Sequence, residues 1–362
     1  MMKQIGFYSI SRGICWGVLS IVFFMFGCSR ESVCGLDGFT DISALTIKDT
    51  IELEDKNILN PHHIYYKDSF LIFTSLRGQR EIQLLNLFTE KVTEYNVIGQ
   101  GRNEMSGYHT VRTNSNNMYL FADNRSGKIY RVCLDSLRDN PDVNYELLFK
   151  FPIEKGRRYF RFIDMPKYMM GIGMLTNGRF GIFNKETGAY EEQMKYPENK
   201  EIASLDDIYK GVLFSRTLMD SDSEGKRIVS SCFGLVEFYS LSDDGELALV
   251  RANHYHFPLF ETGSGGQAII FKKEDKVGIT GMCTDENFVY ALYSDKTVGE
   301  FGEGAYNASY LLIWDWNGNP IKACELPVAL YGFAVDGNTI YGLSREESPI
   351  VYVLDLDSGE FK

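Results

Sequence analysis

An all-β chain closed into a six-bladed β-propeller is what three features of the sequence predict: a repeated strand unit, the lack of helical periodicity, and a C-terminus that stops one strand short. From about Asp41 onward the chain alternates short runs of Tyr, Phe, Ile, Val and Leu with turns rich in Asp, Asn, Gly and Ser. β-Branched and aromatic residues pack well on a pleated surface, and the small polar residues supply tight reversals.

The repeated unit is an apolar-aromatic strand, a polar turn, a second strand and an Asp/Asn-Gly turn. It occurs as "DSFLIFTSLRGQREIQLLNLFTEKV" from Asp68, "NNMYLFADNRSGKIYRVCLD" from Asn116 and "KYMMGIGMLTNGRFGIFNKETGAY" from Lys167. It returns from Lys210, from Glu286 and, as "GNTIYGLSREESPIVYVLDLDSGEF", from Gly337. The leading strands centre near residues 71, 119, 170, 213, 290 and 341. A unit of about 40–50 residues with about four strands is a propeller blade, and six of them fill residues 41–362. The long gap from Arg251 to Gly281 is expected to hold an outer strand and a loop at Glu261 to Gln267. No window carries a capped 3.6-residue period; "EIASLDDIYKG" near Glu201 offers one helical turn.

A four-stranded blade with two apolar faces needs a neighbour on each, and a closed ring supplies both while leaving only short edges. The last blade ends at a turn, Asp357-Ser358-Gly359-Glu360, with nothing left for its fourth strand. "ALTIKDTIEL", Ala44 to Leu53, has the composition to fill that place, so an N-terminal strand is expected to close the ring in the last blade.

Residues 1–27 carry Lys3 and Arg12, no acid, and an apolar run from Ile14 to Gly27. That is a signal-peptide pattern, shorter than the ~20 residues of a spanning helix. Met25 is too large for position −3 of an ordinary cleavage site. Met25-Phe26-Gly27-Cys28 resembles a loose bacterial lipobox of the Bacteroidetes kind, which implies a palmitate-bearing lipoprotein anchored through Cys28. An ordinary cleaved signal would instead leave Cys28 a structural residue. Ser29 resembles outer-membrane rather than inner-membrane sorting. Residues 28–40 then form a tether. Without residues 1–27 the formal charge moves from −12 to −14, a poor balance for phosphate neutralisation, so no nucleic-acid partner is expected. Of the seven cysteines, Cys34, Cys133, Cys232, Cys283 and Cys324 remain after Cys15 and Cys28. With no CxxC pair they read as buried thiols, not a disulfide framework.

"YALYSD" from Tyr290, "LLIWDWNGNPIKACELP" from Leu311 and "FAVDGNTIYGLS" from Phe333 resemble the C-terminal blades of TolB-like six-bladed propeller lipoproteins of Bacteroidales. "NVIGQGRNEMSGY", Asn96 to Tyr108, is similar to the Gly-rich connector before the second blade in these and in NHL-type propellers. The resemblance spans roughly residues 40–362 and implies a cell-envelope protein; its motifs are structural and carry over no catalytic residue.

Candidate sites are few. Gly99-Gln100-Gly101 lacks the Lys-Ser/Thr of a phosphate loop. His254 and His256 flank Tyr255 and would share one strand face, and His109 could join them, the weakest form of a metal site. "DSDSEG", Asp220 to Gly225, lacks the ligand alternation of a calcium loop and reads as a solvated hairpin tip. Trp314 and Trp316 share a face suited to packing between blades. There is no G-x-S-x-G elbow. Arg157 and Arg158, with Tyr159, Phe160 and Arg161, form the most site-like patch, expected in a connector, where Arg157, Arg158, Tyr159 and Arg161 could hold an acidic peptide or a glycan carboxylate. The sequence thus predicts a lipid-anchored, non-catalytic binding module for an envelope protein, peptide or glycan, with no cofactor. A metal-dependent hydrolase, lactonase or lyase on the same fold is the alternative.

Overall fold

The computed structural model describes residues 38–40, 42–75, 82–95, 109–113, 118–123, 128–139, 146–150, 158–263, 268–345 and 348–356; for 109–113, 118–123, 138–139 and Arg158 it describes the backbone alone. The expected signal, Cys28, the Gly99-Gln100-Gly101 connector and Arg157 lie outside these residues. Among the described residues no helix is long and apolar enough to cross a membrane.

Six antiparallel four-stranded blades follow one another. The first runs from His63–Lys67 to Val92–Tyr95, the second from His109–Thr113 to Glu146–Lys150, and the third from Arg158–Asp164 to Tyr190–Gln193. The fourth runs from Leu218–Ser221 to Leu247–His256, and the fifth from Lys276–Thr284 to Pro320–Leu330. The sixth begins at Gly332–Asp336. The second and third share one continuous sheet because their innermost strands touch in parallel, Ile163 beside Arg112 and Asp164 beside Thr113.

The turns show why these residues make these blades. Asp68 and Ser69 both adopt left-handed backbone (φ 46° and 68°), the two-residue reversal that joins His63–Lys67 to Phe70–Thr74. In the first and third blades the turn between the last two strands is held the same way: Asn86 Oδ1 accepts from the Phe88 and Thr89 amides, and Asn184 Oδ1 from the Glu186 and Thr187 amides. In the fifth blade Asp315 does this for Asn317 and Asn319.

Apolar clusters fill all six interfaces between successive blades. Ile72 and Leu84 meet Val132 and Leu137 between the first and second; Ile129 meets Phe162 and Phe183 between the second and third. Phe180 and Ile182 meet Ile228 and Tyr239 between the third and fourth. Trp314, Trp316 and Phe39 pack with Val236 and Phe238 between the fourth and fifth, so the two tryptophans do lie between blades. Tyr290 and Ile313 meet Ile340 and Leu354, and Leu343 and Val351 meet Leu71 and Phe73, which joins the sixth blade to the fifth and to the first.

The N-terminal segment closes the ring as expected. Thr46–Glu52 pairs antiparallel with Pro349–Asp355, completing the sixth blade. Just before it, Ile42–Ala44 pairs in parallel with Ala323, Cys324 and Glu325 of the fifth blade, a second staple not foreseen.

Two expectations need correcting. The stretch around residue 213 is not a strand: Asp207–Leu213 is an α-helix, preceded by a short 3-10 turn at Ile202–Ser204. The corresponding strand of the fourth blade is Arg227–Cys232, which makes the repeat spacing more even. Within the long gap, Leu247–His256 is the outer strand, Phe260–Thr262 and Ile269–Phe271 form a separate hairpin, and Lys276–Thr284 already opens the fifth blade. "DSDSEG" is the hairpin tip expected between Leu218–Ser221 and Arg227–Cys232, with Ser223 and Glu224 exposed, but its aspartates are not solvated. Asp220 and Asp222 are buried; Asp222 accepts from the Lys226 and Arg227 amides and pairs with the Arg227 side chain, and Asp220 accepts from the Thr284 hydroxyl.

Candidate functional site

In each blade the first strand stands against the axis, so the side chains that meet in the middle come from residues far apart in sequence. They enclose a cavity of about 650 Å³, within the roughly 300–1,000 Å³ span of ligand pockets. It runs from the beginnings of the inner strands, marked by His62, Arg216 and Tyr331, to their ends, marked by Lys67, Val335 and Cys283.

The chain carries 49 acidic and 37 basic side chains, yet the described lining reverses that balance. Lys67, Arg161, Arg216, His62 and His63 line the cavity, and no Asp or Glu does. Lys67 has Asp68 at 3.7 Å. Arg216, just before its inner strand, lies over the Phe271 and Tyr306 rings at 5.3 and 5.4 Å, contacts that hold the guanidinium at the mouth. Arg345 sits at the same mouth, over the Tyr331 ring and donating to the Pro61 carbonyl. The His62 and His63 rings lie 4.4 Å apart between centres, tilted by 48°. Burial, with His62 and Arg161 nearby, pushes His63 down to about 3, and burial also lowers His62, so both are neutral at pH 7.

Arg161 lies on the cavity wall, half-buried. Among the described residues no acceptor or carboxylate reaches its guanidinium, and burial lowers its pKa. Its orientation comes from a slip in strand register between Tyr159 and Arg161 against Tyr168–Met174, a bulge that re-aims side chains. Tyr159 turns into the blade, buried against Phe162, Phe183 and Tyr190, with its hydroxyl 3.0 Å from that of Tyr190. The patch expected in a connector is therefore the start of an inner strand, Arg158–Asp164. Of its residues Arg161 faces the cavity, Tyr159 does not, and the side chains of Arg157 and Arg158 lie outside the described residues.

His254 and His256 do not share a face. The register slips so that His254 pairs with Leu235 and His256 with the adjacent Gly234, on opposite sides of the sheet. His254 Nε2 lies 3.0 Å from Glu237 Oε1, while burial pushes His256 down to about 4. The side chain of His109 lies outside the described residues. Among the described residues no three His, Cys, Asp or Glu side chains converge as a metal site would need.

A second buried charge cluster sits within the wall. Arg179, fully buried between the third and fourth blades, pairs with Glu237, and Tyr239 donates to the same carboxylate. The Phe180 and Phe214 rings flank its guanidinium. Burial alone would raise Glu237, but the Arg179 charge and the hydrogen bonds win and hold it at about 2. Cys133, Cys232, Cys283 and Cys324 form no disulfide, and the last three are buried.

The model of the TolB-like 6-blade propeller-like family matches residues 40–338. The chain belongs to that family. This TolB-like propeller is also similar to two solved structures. One is a member of the DUF4221 family from Bacteroides vulgatus, with a TM-score of 0.52 and 10% identity, covering 86% of this chain and 97% of that one. The other is the Cps50 (Swd1) β-propeller domain of Myceliophteria thermophila, with a TM-score of 0.50 and 10% identity, covering 86% and 99%. At this identity both show the fold alone. No curated protein matches the sequence.

His62, His63 and Arg216 escape a reading of local motifs, because nothing local marks them. Their shared signal is position: each stands at the start of the strand before a leading strand.

Proposed function

We propose that this TolB-like propeller is a non-catalytic binding module of the cell envelope that receives part of a protein or glycan ligand at the mouth of its central cavity. The observation that carries this reading is the cavity itself: a pocket of ligand size on the axis, lined by aromatic and basic side chains contributed by separate blades. Rigid blades hold those side chains in place before the ligand arrives, which limits the ordering cost of binding. The lipobox-like Met25-Phe26-Gly27-Cys28 supports anchoring to the membrane through lipid on Cys28. Cys28→Ala is then expected to move the protein from the membrane to the soluble fraction; retention in the membrane contradicts the anchor.

The test of binding is thermal unfolding of the full chain against peptides, glycans and divalent metals. Val277 lines the cavity, and Val277→Trp narrows it without changing charge. A peptide or glycan should raise the melting temperature of the wild type and not of Val277→Trp. A shift that survives in the variant places binding elsewhere. A metal shift reversed by chelator favours the hydrolase alternative.

A further inference from the structure

We propose that the central cavity is a carboxylate site: it takes an anionic headgroup at Arg161 and Arg216 and an apolar body along the rest of its lining. This rests on the binding-module reading and narrows its ligand to one chemistry.

Three features of the cavity point the same way. Arg161 is a half-buried guanidinium on the cavity wall, its pKa lowered by desolvation, to which no described side chain offers an anion. Withdrawing part of an arginine from water without a counter-charge is unfavourable, and the described wall supplies no carboxylate, so an anion that enters the cavity gains by pairing with it. Arg216 stands at the entrance, its plane set by Phe271 and Tyr306, as a second donor along the entry path; planar forks of this kind match carboxylates. His62 and His63, both neutral, each offer one ring N–H to an anion without adding charge.

The third feature is what the described lining lacks. It contains no Asp, Glu, Asn or Gln, the side chains that accept hydrogen bonds from sugar hydroxyls and amides. Its charged groups are donors only, and its side-chain acceptors are one ring nitrogen on each neutral histidine and the hydroxyls of the tyrosines and Thr280. The remainder is apolar: Ile64, Phe162, Leu218, Phe233, Val277 and Met282 among others. A ligand with many hydroxyls would leave donors unpaired there, whereas an aryl or alkyl body would not. The shared chemistry is a carboxylate joined to an apolar group, which a free organic acid and the C-terminal residue of a peptide both provide.

The experiment titrates the full chain with phenylbutyrate and its uncharged amide, and with the peptide Gly-Gly-Phe bearing a free or an amidated C-terminus, in wild type, Arg161→Met and Arg161→Lys. At least one free carboxylate should bind the wild type, its amide about tenfold or more weaker, with a similar loss in Arg161→Met and partial recovery in Arg161→Lys. Which free carboxylate binds more tightly separates the organic acid from the peptide terminus. Equal binding of acid and amide, undiminished binding by Arg161→Met, or no binding of either acid overturns the proposal. Any of these outcomes alongside a Val277-dependent shift by another peptide or glycan leaves the binding module standing and removes only the anion site. A melting temperature of Arg161→Met well below wild type also overturns it, because Arg161 would then be a structural cation.

Discussion

Arg161 and Arg179 belong to the same blade, Arg179 fully buried and Arg161 half-buried, and they stand in opposite situations. Arg179 lies in the wall between two blades, against Glu237, with aromatic rings on its flanks. Arg161 lies in the lumen, with no carboxylate among the described residues. The wall gives Arg179 a carboxylate, and among the described residues the lumen gives Arg161 none. A buried ion pair locks a register, and breaking it leaves a stranded charge; a half-buried cation without a partner is a vacancy for a ligand's anion. Residue type is the same, so the difference lies in where the side chain ends: Arg161 on the inner strand at the cavity, Arg179 beside the third strand against the next blade.

The largest expected effect comes from opening the wall altogether. Deleting residues 42–52 removes the last strand of the sixth blade and the staple to the fifth, and exposes the clustered Leu354 and Val351. The melting temperature is expected to fall by roughly 10 °C or more, given ~2–4 °C per kcal/mol for larger domains. An unchanged melt would mean that the ring does not depend on this closure.

This closure was legible in the sequence, as were the blade repeat and the turn at Asp315, because alternation and turn chemistry are local. The fourth blade was partly misread because "GVLF", Gly211 to Phe214, is a short apolar run, and such a run does not by itself distinguish strand from helix end. The shared face expected of His254 and His256 failed at a register slip that no residue type announces. Arg161 was picked out within a patch whose neighbour Tyr159 turned inward. His62, His63 and Arg216 converge on it only once the ring is closed, which is why the site as a whole was not legible.

Next in size is the wall's ion pair. Arg179→Met strands Glu237 and should cost about 3–5 kcal/mol in chemical unfolding. A loss well below 1 kcal/mol would show that the pair is dispensable and blunt the contrast with Arg161.

A smaller effect separates the two regions by pH. The folded Glu237 carboxyl titrates at about 2 against an ordinary 4.5, so its contribution is complete above about 4.5 and disappears as pH falls towards 2. The stability gap between wild type and Glu237→Gln should therefore shrink over that window; a gap independent of pH would mean that the Glu237 charge does not supply it.

The smallest effect is expected at Arg161. Without ligand, Arg161→Met should leave the melting temperature unchanged or slightly raised, since it removes a half-buried charge that no described carboxylate compensates.

The most direct test of the contrast is a crystal of the protein soaked with a bromophenyl carboxylate, with the bromine located by anomalous scattering. The expected result is bromine among the apolar residues of the lumen and the carboxylate within hydrogen-bond distance of Arg161. Bromine outside the ring, or a carboxylate in the lumen turned away from Arg161, would contradict the account.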